Sequence, residues 1–240
     1  MGNGVPGVAR WLDVAPDRLA AWMESFAQRH GALTTEPEPG ERSAARPVAV
    51  VTFRAADGSV AECHIPFPPL SAGEAAAAGT DPAVIAARLA AHASAERVVG
   101  VLLVRLGGYA AGVFAGPDQQ LVASKVGSRL VHGRSAAGGT SQRRFARRRE
   151  KQASEALTAA ANTAAAVFGP YSGRLDAVLL GGDKRAMAGL AGDPRLRPYL
   201  ELAVDRFLTV PDPRLAVLKG TPRMFRAIRV RLTEAAPPAS

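Results

Sequence analysis

The sequence predicts an α/β fold: a mixed sheet carrying a long basic helix, preceded by a small N-terminal helix and β-hairpin region. Three observations predict it. Short β-branched runs recur between glycine and proline turns from Val48 onward. An unbroken helical pattern covers Ser141 to Phe168. After it, strand-like and helix-like segments alternate. At 240 residues and 48% hydrophobic content, the chain can bury one full core and a small second one.

The elements follow in order. Pro16 to His30 reads as a helix, with Asp13 as a candidate cap, Gly31 at its stop, and Leu19, Trp22, Met23 and Phe26 on one apolar face. Thr34 to Pro47 is polar and proline-containing, hence a loop. Val48–Phe53 and Val60–Ile65 form a hairpin around Ala56-Asp57-Gly58. Pro66, Pro68 and Pro69 open a linker that ends near Pro82, and a short helix spans Asp81 to His92, with Ile85 and Leu89 one turn apart. Arg97–Leu106, Tyr109–Ala115 and Gln120–Val131, separated by Gly107-Gly108 and Gly116-Pro117-Asp118, read as an antiparallel meander.

The long helix then stops at Gly169-Pro170. Leu175–Leu180 reads as a buried strand ending in Gly181-Gly182, followed by a helix over Lys184–Leu190. Tyr199–Phe207 has helical spacing at Leu200, Ala203, Val204 and Phe207; Leu215–Leu218 and Met224–Leu232 look like closing strands. The expected division is an N-terminal region 1–70, a linker and helix 71–94, a domain 95–234, and a disordered tail 235–240.

Composition narrows the function. One cysteine, Cys63, rules out an internal disulfide framework and reads as a buried structural thiol. His132 shares no metal-ligand spacing with His30, His64 or His92, so neither metal nor cofactor is expected. No apolar run approaches the roughly 20 residues that span a bilayer, and no secretory signal is apparent. Arginine outnumbers lysine 26 to 4, a mark of a GC-rich coding genome, and a bacterial cytoplasm is the expected compartment.

Charge is concentrated in one place. Lys125 to Lys151 carries nine basic residues against one acid, Glu150, and so holds +8 of the chain's +9. A block of this kind seeks nucleic-acid phosphate. Within it lies a small-residue loop, Ser135 to Ser141, followed at once by Gln142. Gly181-Gly182-Asp183-Lys184, by contrast, lacks a phosphate-loop pattern and reads as a strand-to-helix turn.

His132 to Arg149, HGRSAAGGTSQRRFARRR, resembles the catalytic-domain signature of eukaryotic and archaeal class I peptide-chain release factors. It is closer still to their Vms-like relatives, especially the actinobacterial branch. The order of hydrophobic hairpin, glycine loop, long helix and strand ending in a glycine pair follows that domain from Arg97 to Leu232. The resemblance implies an RNase-H-like sheet. Release factors place their glutamine where Thr140 stands, whereas Gly139, Thr140, Ser141 and Gln142 match the Gly-x-Ser-Gln arrangement of the Vms-like group. Ser135, Ala136 and Ala137 lengthen the loop.

The resemblance implies that Gln142 acts on a peptidyl-tRNA ester, with Gly138, Gly139, Thr140 and Ser141 forming the loop that brings it there. A glutamine offers an N–H donor and a carbonyl acceptor without repelling RNA. Arg143, Arg144, Arg147, Arg148, Arg149 and Lys151 would hold RNA phosphates, and His132 and Arg134 would order the loop base or touch RNA. The implied partners are peptidyl-tRNA and the rRNA of the large ribosomal subunit, with no membrane and no DNA. The implied activity is ribosome rescue by peptidyl-tRNA hydrolysis. The alternatives are an endonuclease removing the tRNA 3′ CCA end with the peptide, a metal-dependent nuclease, for whose clustered carboxylates the scattered Asp176, Asp183 and Asp205 form no persuasive set, and a non-catalytic ribosome- or RNA-binding module.

Overall fold

The computed structural model describes residues 9–38, 50–70, 81–105, 107–128 and 141–235, and within these the side chains at 36–38 and 141–149 are left aside. The chain divides into two units, Met1–Ala95 with Arg223–Ser240, and Glu96–Pro222. Each has its own sheet, and together they give the mixed α/β class that the sequence predicts.

In the first unit, strands β1 (Arg10–Val14), β2 (Leu33–Glu38), β3 (Val50–Ala55), β4 (Val60–His64) and β10 (Ile228–Thr233) pair antiparallel in the order β1-β10-β4-β3-β2. Helix α1 (Leu19–His30) buries Leu19, Met23 and Phe26 against one face, the stripe its spacing predicts. Helix α2 (Pro82–Ser94) starts where the Asp81 side chain accepts the Ala83 N–H at 2.9 Å, and it buries Ile85, Ala86, Leu89 and Ala93 in the same core. The expected hairpin forms, with Gly58 in its turn at φ +90°. Beside it, His30 Nδ1 lies 2.8 Å from Asp57 Oδ2, and the Ala235 N–H donates to Ser59 Oγ at 3.0 Å.

Four sequence expectations give way here. The loop expected from Thr34 contains β2, and its Pro37 is tolerated because β2 is an edge strand, where one missing donor breaks no ladder. Leu215–Leu218, expected as a strand, lies in a helix (Leu215–Arg226) that buries Leu218, Thr221 and Phe225 at helical spacing. The strand expected over Met224–Leu232 begins only at Ile228. It closes the first sheet between β1 and β4 instead of completing the second.

The fourth concerns the second unit, whose sheet runs β7-β6-β5-β8-β9. Strands β5 (Val99–Arg105), β6 (Gly108–Ala115) and β7 (Gln120–Ser128) are the expected antiparallel meander; β8 (Ala177–Gly182) and β9 (Ala203–Leu208) extend it in parallel. Ala203–Leu208 was expected within a helix, but only a short helix, Arg197–Leu200, precedes it. Pairing Leu180 with Phe207 and Gly181 with Leu208 outweighs the apparent helical spacing. In chain order the helices of this unit are α3 (Ser141–Phe168), α4 (Lys184–Leu190), α5 (Arg197–Leu200) and α6 (Leu215–Arg226), whose last turn belongs to the first unit. Asp183 caps α4 by accepting the N–H groups of Arg185 and Ala186.

Gly182, at the exit of β8, has φ +103° and leaves no room for a Cβ, which would collide with the Val104 carbonyl oxygen. Gly182→Ala is therefore expected to destabilise by about 3 kcal/mol, from strain plus a backbone clash; urea unfolding indistinguishable from wild type would refute the tight approach. Burial pushes the Cys63 thiol up to about 12. Native protein is expected to resist thiol alkylation at pH 8 until denaturant is added, and native labelling at the rate of a free thiol would contradict that burial.

Candidate nucleic-acid interface and catalytic loop

Strand β7 is the edge of the second sheet, and the next described residue after its end, Ser128, is Ser141 at the start of α3. His132, Arg134, Gly138, Gly139 and Thr140 lie outside the described residues. Ser141, Gln142, Arg143, Arg144, Arg147, Arg148 and Arg149 occupy the first turns of α3, where the backbone is helical. Lys151 follows, exposed. The helix covers the whole of its predicted span, with Ser141 as its first residue. The first turn of a helix presents backbone N–H groups without intrahelical partners, an arrangement suited to phosphate or a developing oxyanion.

Helix α3 changes character along its length. Glu150 and Lys151 are exposed, Ala156 and Leu157 are half-buried, and from Ala160 the helix is packed. Ala160, Ala161, Ala164, Val167 and Phe168 join one core with Leu102 and Val104 of β5 and Ala111 and Val113 of β6. Alanines let the helix axis approach the sheet closely, while Phe168 fills the end of the layer. Its ring meets Tyr199 edge-on at 5.2 Å and lies against Gly100, where an added Cβ would sit 3.3 Å from it. Ser141 lies nineteen residues ahead of Ala160, about 28 Å along the axis.

Other contacts fix this base laterally. Asn162 Oδ1 accepts the Arg195 guanidinium at 2.6 Å, and Arg195 also grips Asp193 through two nitrogens. That pairing holds the Asp193 carboxyl below its usual range. Leu157 packs over Gly189 of α4, at 2.8 Å from where a Cβ would stand.

Two features of the strand that leads out, the seat of Tyr109 and the side of the sheet on which Lys125 stands, go beyond the sequence reading. Tyr109 of β6 is paired with Gly127 of β7, and its ring lies directly over that glycine, occupying the space of a Cβ. A glycine inside a strand is the sequence signal for such a close approach. Lys125 pairs with Ala111 and lies between Ala123 and Gly127 along the strand. Ala111 and Ala123 both pack in the core under α3, so alternation places Lys125 on the helix side of the sheet, where it is exposed.

Of the three carboxylates considered for metal chemistry, two serve structure and Asp205 is exposed on β9. Asp176 accepts the Val98 N–H at 2.7 Å, and Asp183 caps α4. Among the described residues no group of three or more His, Cys, Asp or Glu is arranged to hold a metal ion. None of the described helices is long and apolar enough to cross a membrane.

Comparison with known proteins bears on residues 97–231, which match the family model described as the Actinobacteria/Chloroflexi VLRF1 release factor. A search of curated proteins returns no match. Among solved structures, the archaeal translation termination factor aRF1 is similar at 10% identity and a TM-score of 0.38, covering 93% of this chain and 68% of its own. A structure described only as an archaeal protein is similar at 12% identity and a TM-score of 0.36, over 92% of this chain and 68% of its own. The family match covers more than half of the chain and contains β5 to β9, the whole basic stretch and α3, and on that basis the chain belongs to the Actinobacteria/Chloroflexi VLRF1 release factor family.

Proposed function

We propose that the chain is a cytoplasmic ribosome-rescue factor that hydrolyses peptidyl-tRNA, freeing nascent chains on stalled large ribosomal subunits. The observation that carries this reading is the release-factor family match over residues 97–231, which contains the Gly138-to-Gln142 loop and the arginine run behind it.

The chemistry needed is modest. A peptidyl-tRNA ester is already activated, so the factor must place a water at the carbonyl and stabilise the oxyanion that forms. Gln142, at the second residue of α3, supplies an N–H donor and a carbonyl acceptor. Gly138 and Gly139 let the backbone approach the terminal adenosine, while Thr140 and Ser141 lead into the helix. Arg143, Arg144, Arg147, Arg148, Arg149 and Lys151 hold rRNA or acceptor-stem phosphates, and His132 and Arg134 serve the loop base.

The deciding experiment is incubation of N-blocked aminoacyl-tRNA with the factor, free and on large subunits. Free peptide acid with intact tRNA is expected; shortened tRNA still carrying peptide would overturn the hydrolase reading in favour of 3′-end cleavage. Gln142→Ala is expected to lower kcat about 100- to 1,000-fold with KM little changed, as for loss of an oxyanion donor. Retained release in that variant would remove Gln142 from the chemistry. Replacing Arg147 and Arg148 by alanine is expected to weaken ribosome binding and to flatten the plot of log affinity against log salt by about 0.7–0.9 per arginine; an unchanged slope would mean they touch no phosphate.

A further inference from the structure

The sheet of the first unit is covered on one face by α1 and α2; its other face carries no helix among the described residues of that unit, and Trp11, Arg54, Arg229 and Arg231 are exposed on it. Register places Trp11 opposite Arg231, and Arg229 opposite both Asp13 and His64. Three planar side chains meet there across three strands. The Arg229 guanidinium carbon lies 4.5 Å from the Trp11 ring centroid, and the Trp11 and His64 rings are 4.9 Å apart at 53°. Trp11 is 48% exposed, and it is the single aromatic among the large exposed apolar side chains of the described residues. Arg231 is anchored beside the cluster by Glu62, with one nitrogen–oxygen distance of 2.7 Å.

We propose that this face binds unpaired RNA bases, with Trp11 as the stacking platform and Arg229 and His64 beside it. Indole, guanidinium and imidazole are the groups on which splayed bases stack, and arginine adds attraction for the flanking phosphates. Burial, reinforced by Arg229 and Arg231 against the opposing pull of Glu62, holds His64 below the usual histidine range. A neutral imidazole both donates and accepts, which suits a base edge. A protein partner fits less well. The core of a protein interface is depleted of charged residues and shielded from water, whereas Trp11 stands among Asp13, Arg229, Arg231 and His64. The other exposed large apolar side chains, Val84, Val122, Val126 and Leu215, belong to other elements.

This face belongs to the first unit and Gln142 to the second, and the proposal goes beyond peptide release without resting on it. The test measures binding of the full chain to a single-stranded oligouridine, to an RNA duplex of equal length and to inorganic polyphosphate. The last two report the phosphate attraction common to every basic surface on the chain. Trp11→Ala and Trp11→Leu, the second keeping apolar bulk, are expected to weaken single-strand binding about tenfold while leaving duplex and polyphosphate binding unchanged. Trp11→Phe is expected to retain most of it. Cross-linking with 4-thiouridine RNA is expected to label the peptide containing Trp11. Wild-type affinity in folded Trp11→Leu would overturn the proposal, as would an equal loss with all three probes. Unchanged RNA affinity with reduced ribosome binding would also overturn it, and would assign the face to a ribosomal protein.

Discussion

The packing of Ala160, Ala161, Ala164 and Phe168 of α3 against β5 and β6 is the constraint on which the candidate site depends. A 28-residue helix is far longer than its packed half requires. The packed half has almost no choice of position, because small side chains against β-branched ones leave no alternative depth at close-packed density. Whatever stands at the first turn of α3 is then set by the sheet, through a helix stiff enough to transmit that position along its axis. The two parallel strands β8 and β9 reinforce this by carrying α4, whose Gly189 receives Leu157 just ahead of the buried alanines.

Electrostatics and packing are divided along the same helix. Arginines within one or two turns of one another repel, and such like-charge pairs cost a few tenths of a kcal/mol each in an isolated helix. Here the run from Arg143 to Lys151 includes one acid, Glu150, so the repulsion is not answered within the stretch itself. The alanine-rich half supplies high helix propensity and burial, which offset that cost and keep the basic half helical without a partner. A polyanion then binds a helix that is already formed, so the backbone loses no ordering entropy on binding.

Legibility in the sequence followed the range of the interactions. Helices α1, α2, α3 and α4 and the meander β5–β7 were readable because spacing, caps and turn glycines are local signals. Ala203–Leu208 reads as helix because Leu200, Ala203, Val204 and Phe207 satisfy a helical period, while its partners in β8, such as Val178 for Ala203 and Gly181 for Leu208, lie far back in the chain. Ile228–Thr233 was recognised as a strand, but not its place, because pairing with Arg10–Val14 spans nearly the whole chain and no local feature encodes it. The cluster of Trp11, Arg229 and His64 was invisible for the same reason: its members are far apart in sequence and meet only through register. Of the candidate site, composition gave the basic block alone. The meaning of Gln142 came from the resemblance of its neighbours, since an isolated glutamine at a helix start is ordinary.

An uncharged side chain as the acting group is consistent with these surroundings. A carboxylate base at residue 142 would be pulled toward the arginines that follow it, and a carboxylate ion-paired with guanidinium is held in its charged form but is a weaker base. Glutamine does not titrate, so the arginine field cannot alter its protonation state, and in the proposed role it would orient a water while carrying no charge that RNA phosphate would oppose. The same field favours the developing oxyanion, because cations and helix N–H groups both stabilise negative charge that appears only on the way to the product. On the proposed reading, the arginines that follow Gln142 in the sequence would contribute to the chemistry as well as to binding.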